Sequence, residues 1–120
     1  MDLSLSMERP DRLIATLRDG QQEAVVTASY GLAAGGDLLS ALEQARDGDY
    51  GECFWHEQAG QYWWLFRRED QAVEVAVLWS SGTVTGWQHV FRASDELTYV
   101  ADRVRQEFDA LTAETGRSRS

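Results

Sequence analysis

A chain of 120 residues, 43% of them hydrophobic, is long enough for one core and too short for two ordinary domains. Its 20 acidic residues against 11 basic ones give a formal charge of −9, which disfavours attraction to nucleic-acid phosphates or an anionic membrane and makes a basic partner the electrostatically natural one. No stretch approaches the roughly 18 uninterrupted apolar residues of a membrane span, Met1-Asp2-Leu3-Ser4 opens no signal-peptide pattern, and the single Cys53 has no internal disulfide partner, so the expected location is the cytoplasm.

In chain order, Leu3, Leu5 and Met7 alternate with polar residues as in a half-buried strand, until Pro10-Asp11 interrupts them. Strands over Arg12 to Arg18 and Glu23 to Tyr30 flank Asp19-Gly20, a strong local hairpin signal. Residues 31–36 then read as a flexible glycine-rich connection. Asp37 is the expected N-cap of a short helix carrying Leu38, Leu39, Leu42 and Ala45 and stopping by Asp47-Gly48.

The stretch 51–92 is the informative part, because turn positions sort its side chains by face. A turn at Ala59-Gly60 sets Trp55 opposite Trp64, Cys53 opposite Phe66 and Glu57 opposite Tyr62. A turn at Glu69-Asp70 sets Phe66, Trp64 and Tyr62 opposite Val73, Val75 and Val77. Trp55, Tyr62, Trp64, Phe66, Val73, Val75, Val77 and Trp79 then form the core face. The opposite face collects Glu52, Phe54 and His56, then Trp63, Leu65 and Arg67, then Ala72, Glu74, Ala76 and Leu78. Glu52 and Arg67 are expected across from each other as a surface ion pair worth about 0.2–1 kcal/mol.

A last strand over Val84 to Phe91 has two registers open to it. A three-residue loop with a glycine bulge is preferred, since it places Trp87, His89 and Phe91 on the core face. Ser94 is the expected cap of a final helix whose Leu97, Val100, Ala101, Val104, Phe108 and Leu111 make one apolar stripe, with Asp95 and Glu96 in its first turn. Residues 1–114 form the expected single domain and 115–120 a disordered tail. The expected fold is α+β: an antiparallel sheet of five to seven strands with two helices packed on one face, in the order β-β-β-α-β-β-β-β-α.

No catalytic constellation is expected. Cys53 and His56, three apart in a strand, project from opposite faces, and a Cys53 buried among aromatics is an inert thiol. The potential metal ligands are split between faces, and residues 31–36 match neither nucleotide-binding fingerprint, so no metal and no cofactor are expected. The tryptophans are core-filling at positions 55, 64 and 79. Trp63 differs, because with Phe54, Leu65 and Leu78 it makes an apolar strip on a face otherwise suited to water, flanked by His56 and Glu52. Those six are the candidate partner-binding residues. Acids between Asp37 and Glu57 offer a second, electrostatic signal.

The order of elements, with Gly51-Glu52-Cys53-Phe54-Trp55, Trp63-Trp64 and Ser94-Asp95-Glu96-Leu97, resembles small bacterial families of unknown function, some of them regarded as immunity proteins. The resemblance covers residues 12–112 and is architectural. It implies a non-enzymatic protein-binding module, of immunity or inhibitor kind, acting on a basic protein. Two alternatives stand beside it: a small-molecule-binding or enzymatic domain with a pocket between sheet and helices using His56 or His89, and a structural homodimer joined through the mixed sheet face.

Overall fold

The computed structural model describes residues 1–9, 11–81 and 86–117, and the side chains of all of these except 9 and 114–117. Strands β1 (Asp2–Arg9), β2 (Arg12–Asp19) and β3 (Gln22–Ala28) form one antiparallel meander, followed by helix α1 (Leu32–Gly48). Strands β4 (Tyr50–Glu57), β5 (Gly60–Glu69), β6 (Ala72–Ser80) and β7 (Gln88–Glu96) form a second, and helix α2 (Leu97–Arg117) closes the chain. The α+β class and the element order match expectation. The single sheet does not: there are two sheets, of three and four strands.

The reason lies in β3. Near its start the Gln22 amide bonds both backbone groups of Arg92 on β7, donating to its carbonyl at 2.8 Å and accepting from its N–H at 3.0 Å. Just past its end the Ser29 N–H donates to the His56 carbonyl on β4 at 3.0 Å. Since β4 and β7 are opposite edges of the four-stranded sheet, β3 crosses that sheet and cannot extend its ladder. Both sheets and both helices share one core, with Leu13, Leu17 and Val26 from the first sheet, Trp55, Trp64, Phe66 and Phe91 from the second, and Leu38, Leu42, Val100 and Val104 from the helices.

Both central hairpins are two residues out of the expected register. Trp55 faces Tyr62 and Cys53 faces Trp64 around a Gln58-Ala59 turn, while Phe66 faces Val75 and Trp64 faces Val77 around Asp70-Gln71. Gly60 belongs to the strand, because a Cβ there would stand 2.0 Å from the Ser80 carbonyl oxygen; it serves close approach of β6. Asp70 takes φ of 55° at the second turn, a conformation aspartate tolerates, and the Arg68 Nε donates to its carbonyl at 2.8 Å. A two-residue slip leaves every side chain on its face, so of the expected core residues Trp55, Trp64, Phe66, Val73, Val75 and Val77 are buried, while Tyr62 and Trp79, packed on each other, are half-buried.

The last strand departs further. Val77 faces Phe91 but Leu78 faces His89, so Val90 is an extra, bulged residue. Phe91 is buried as expected, whereas His89 and Trp87 lie on the outer side of the sheet. Residues 84 and 85 of the expected strand lie outside the described residues, as does Pro10.

The helix boundaries also move. α1 begins at Leu32 and takes in Gly35 and Gly36, with Gly31 at φ 71° as its N-cap and no side-chain cap. Glycine fits inside the helix because Phe108 of α2 packs there, 2.7 Å from where a Gly35 Cβ would sit. Asp37 instead accepts the Tyr30 hydroxyl at 3.1 Å. Ser94, Asp95 and Glu96 continue β7, paired with Glu74, Val73 and Ala72, so the ladder outcompetes the expected cap and α2 starts at Leu97. Of the expected stripe, Leu97, Val100, Val104 and Leu111 are buried and Ala101 and Phe108 are half-buried. α2 runs through Arg117, and 118–120 of the expected tail lie outside the described residues.

α1 is pressed directly onto β4. A Cβ on Gly51 would lie 1.8 Å from the Ala41 carbonyl oxygen, and the Trp55 indole donates to the Ala34 carbonyl at 3.0 Å. Backbone cannot give way as a flexible side chain can. Gly51→Ala is therefore expected to destabilise the fold by about 3 kcal/mol or more, whereas Gly48→Ala, at a helical position with nothing within 4 Å, is expected to leave stability unchanged or raise it by up to about 1 kcal/mol. Urea denaturation of the two variants checks this.

Candidate functional site on the outer sheet face

Because Gly51, Cys53 and Trp55 point inward, Tyr50, Glu52, Phe54 and His56 point outward. The ladder then builds the outer face in transverse rows. Phe54, Trp63, Leu78 and His89 form one row; Glu52, Leu65, Ala76 and Arg92 the next; Tyr50, Arg67, Glu74 and Ser94 a third. The candidate residues Phe54, Trp63, Leu65 and Leu78 thus converge, and Glu52 and His56 flank them on β4. Phe54, Trp63, Leu65, Leu78 and Glu52 are half-buried, and His56 is exposed.

The apolar strip is covered by a residue that the strand pattern had placed in the core. Trp87 reaches from the start of β7 to within 5.2 Å of the Trp63 ring and 6.2 Å of the Phe54 ring, centroid to centroid. Phe54 and Trp63 are themselves stacked, 5.8 Å apart and 12° from parallel. Gly86, at φ 116°, precedes Trp87. The bulge at Val90 is what turns Trp87 outward, and an inserted residue of that kind leaves no mark on alternation.

The expected Glu52–Arg67 ion pair is not what the two residues make. Glu52 faces Leu65 and Arg67 faces Tyr50. The Glu52 Oε2 instead accepts two neutral donors, the Trp63 indole N–H at 3.1 Å and the Tyr50 hydroxyl. Tyr50 was missed as a site residue, although the alternation Tyr50, Glu52, Phe54, His56 carries it onto this face. Burial, then the bond to Glu52, pushes the Tyr50 phenol up to about 12. On the same face Arg92 pairs with Glu74 at 3.0 Å.

Cys53 is buried on the inner face while His56 is exposed on the outer one, so they do not meet. Burial pushes the Cys53 thiol up to about 12, with the charges of Asp37 and Glu52 adding to it. Among the described residues no three His, Cys, Asp or Glu side chains are grouped to hold a metal ion, and no helix is long and apolar enough to cross a membrane. Neither His56 nor His89 faces the space between sheets and helices. No protein-family model matches the chain, and neither a curated protein nor a solved structure matches it.

Two titrations follow. At pH 8 the folded protein is expected to resist iodoacetamide at Cys53, and the urea-unfolded chain to react readily, as mass spectrometry would read. The folded state holds the Tyr50 proton more tightly than the unfolded chain, whose phenol ionises near 10. Its contribution to stability is therefore complete below pH 10 and lost as pH rises from there to about 12. Ultraviolet titration of wild type and Glu52→Gln is expected to show one tyrosine ionising earlier in the variant.

Proposed function

We propose that this chain is a non-catalytic protein-binding module, of immunity or inhibitor kind, that docks a basic protein on the outer face of its four-stranded sheet. The observation that carries the reading is the cluster of Phe54, Trp63 and Trp87 on that face, with Glu52 hydrogen-bonded to Trp63 at its rim. Clustered aromatics, half-covered and bordered by polar groups, are the composition of an interface hot spot. The charge of −9 adds long-range attraction for a cationic partner.

The test is a capture from the native cell with wild type and Trp63→Ala side by side, followed by titration of the purified partner against both. Loss of Trp63 is expected to weaken binding by about 2 kcal/mol, roughly thirtyfold in Kd, with circular dichroism unchanged. Affinity equal in the two proteins would remove the site. A wild type that sediments as a dimer and a Trp63→Ala that sediments as a monomer would replace the foreign partner with a second copy of the chain.

A further inference from the structure

We propose that Glu52, with the rings of Tyr50 and Trp63 beside it, is the seat of one arginine side chain of the partner protein, an assignment that rests on the outer face being the docking surface. Several acids are paired with bases within the chain: Glu74 with Arg92 at 3.0 Å, Glu43 with Arg105 at 2.7 Å and Asp47 with Arg46 at 3.5 Å, while others, such as Asp49 and Glu69, are simply exposed to water. Glu52 differs from them. Its two donors, Tyr50 and Trp63, are uncharged and both bond Oε2, so they hold the carboxylate in place without cancelling its charge. Among the described residues Oε1 has no hydrogen-bond donor and the side chain has no ion-pair partner. Arg67, directly across the ladder from Tyr50, is exposed and its charge reaches the Tyr50 hydroxyl, but it makes no ion pair with Glu52.

An oriented, uncompensated carboxylate between aromatic rings selects the kind of cation it takes. The Tyr50 residue is 48% exposed, so a flat group has a ring to lie on. A guanidinium is planar, stacks on aromatic faces and gives a fork of N–H groups to a carboxylate oxygen. An ammonium is a compact, strongly hydrated point charge and gains less from the rings. Because Glu52 is already fixed by its neighbours, little side-chain entropy is lost when the cation arrives.

The test uses the full chain and three capped tripeptides, acetyl-Gly-Arg-Gly-amide and its lysine and citrulline counterparts, titrated to tens of millimolar. The readout is the Trp63 indole N–H signal in nitrogen-correlated NMR, assigned with Trp63→Phe. The arginine peptide is expected to shift that signal saturably, the lysine peptide more weakly and the citrulline peptide not at all. Glu52→Gln keeps an acceptor for Tyr50 and Trp63 but removes the charge, and is expected to weaken the arginine peptide about tenfold. No saturable shift, citrulline or lysine equal to arginine, or an unchanged response in Glu52→Gln would each overturn the arginine seat. If those results came while the purified partner still lost affinity with Trp63→Ala, the docking face would stand and the seat alone would fall. If the peptide results held but Trp63→Ala bound the partner normally, the docking face would fall.

Discussion

The contact on which the rest of the molecule depends is between two backbones, where α1 crosses β4 at Gly51. The Ala41 carbonyl occupies the place any side chain at 51 would need, and the Trp55 indole bond to Ala34 anchors the same helix four residues further along the strand. Together they decide which side of β4 is inside. The ladder then passes that decision to β5 and β6 through strict alternation, so the inward glycine and the outward Tyr50, Glu52 and Phe54 are two results of one packing event. A sheet face with aromatic residues on it exists here because a helix has claimed the other face at van der Waals distance.

How far the sequence can be read follows from that mechanism. Period-two alternation is local, and it placed Trp63, Leu65, Phe54 and Leu78 outside and Trp55, Trp64 and Phe66 inside even though both turns were set two residues off. Register was less legible, since Gly60 looks like a turn residue yet is demanded by the Ser80 backbone in a neighbouring strand. The same holds for Gly35 and Gly36, which lie in α1 against Phe108 of a helix some seventy residues away in sequence. The Val90 bulge depends on how β7 pairs with β6, and the separation into two sheets on contacts between distant strands, and neither left a mark on the alternation. As a result the preferred register puts Trp87 on the wrong face, and Tyr50, assignable by alternation, owes its importance to a hydrogen bond to Glu52 that alternation does not show.

The outer face serves folding and, on the proposed reading, recognition as well. Three rings that shield one another lower the exposed apolar area, and each aromatic pair adds about 0.5–1.5 kcal/mol beyond simple burial. The cluster therefore stabilises the four-stranded sheet from outside while leaving its rim polar. Glu52 belongs to both purposes: its bond to Trp63 helps fix the stack, and its charge faces water. A surface that contributes to stability in this way changes little between free and bound states, which favours a partner shaped to it over one that remodels it.

The hydrogen bonds that tie the two sheets together also govern what cannot happen at their margins. On β1, Leu3 and Leu5 offer a carbonyl and an N–H away from β2, and α2 answers them with Arg103 at 3.0 Å and Glu107 at 2.9 Å. On β4, the carbonyls of Phe54 and His56 are taken by Tyr30 and Ser29; on β7, both groups of Arg92 are taken by the Gln22 amide. Side chains and loops stand at these positions where an incoming strand would otherwise pair. The molecule is thereby closed to templated growth there, whether by its own copies or by a foreign peptide. At these positions any approaching partner meets side chains, and the backbone that would accept any strand is withheld.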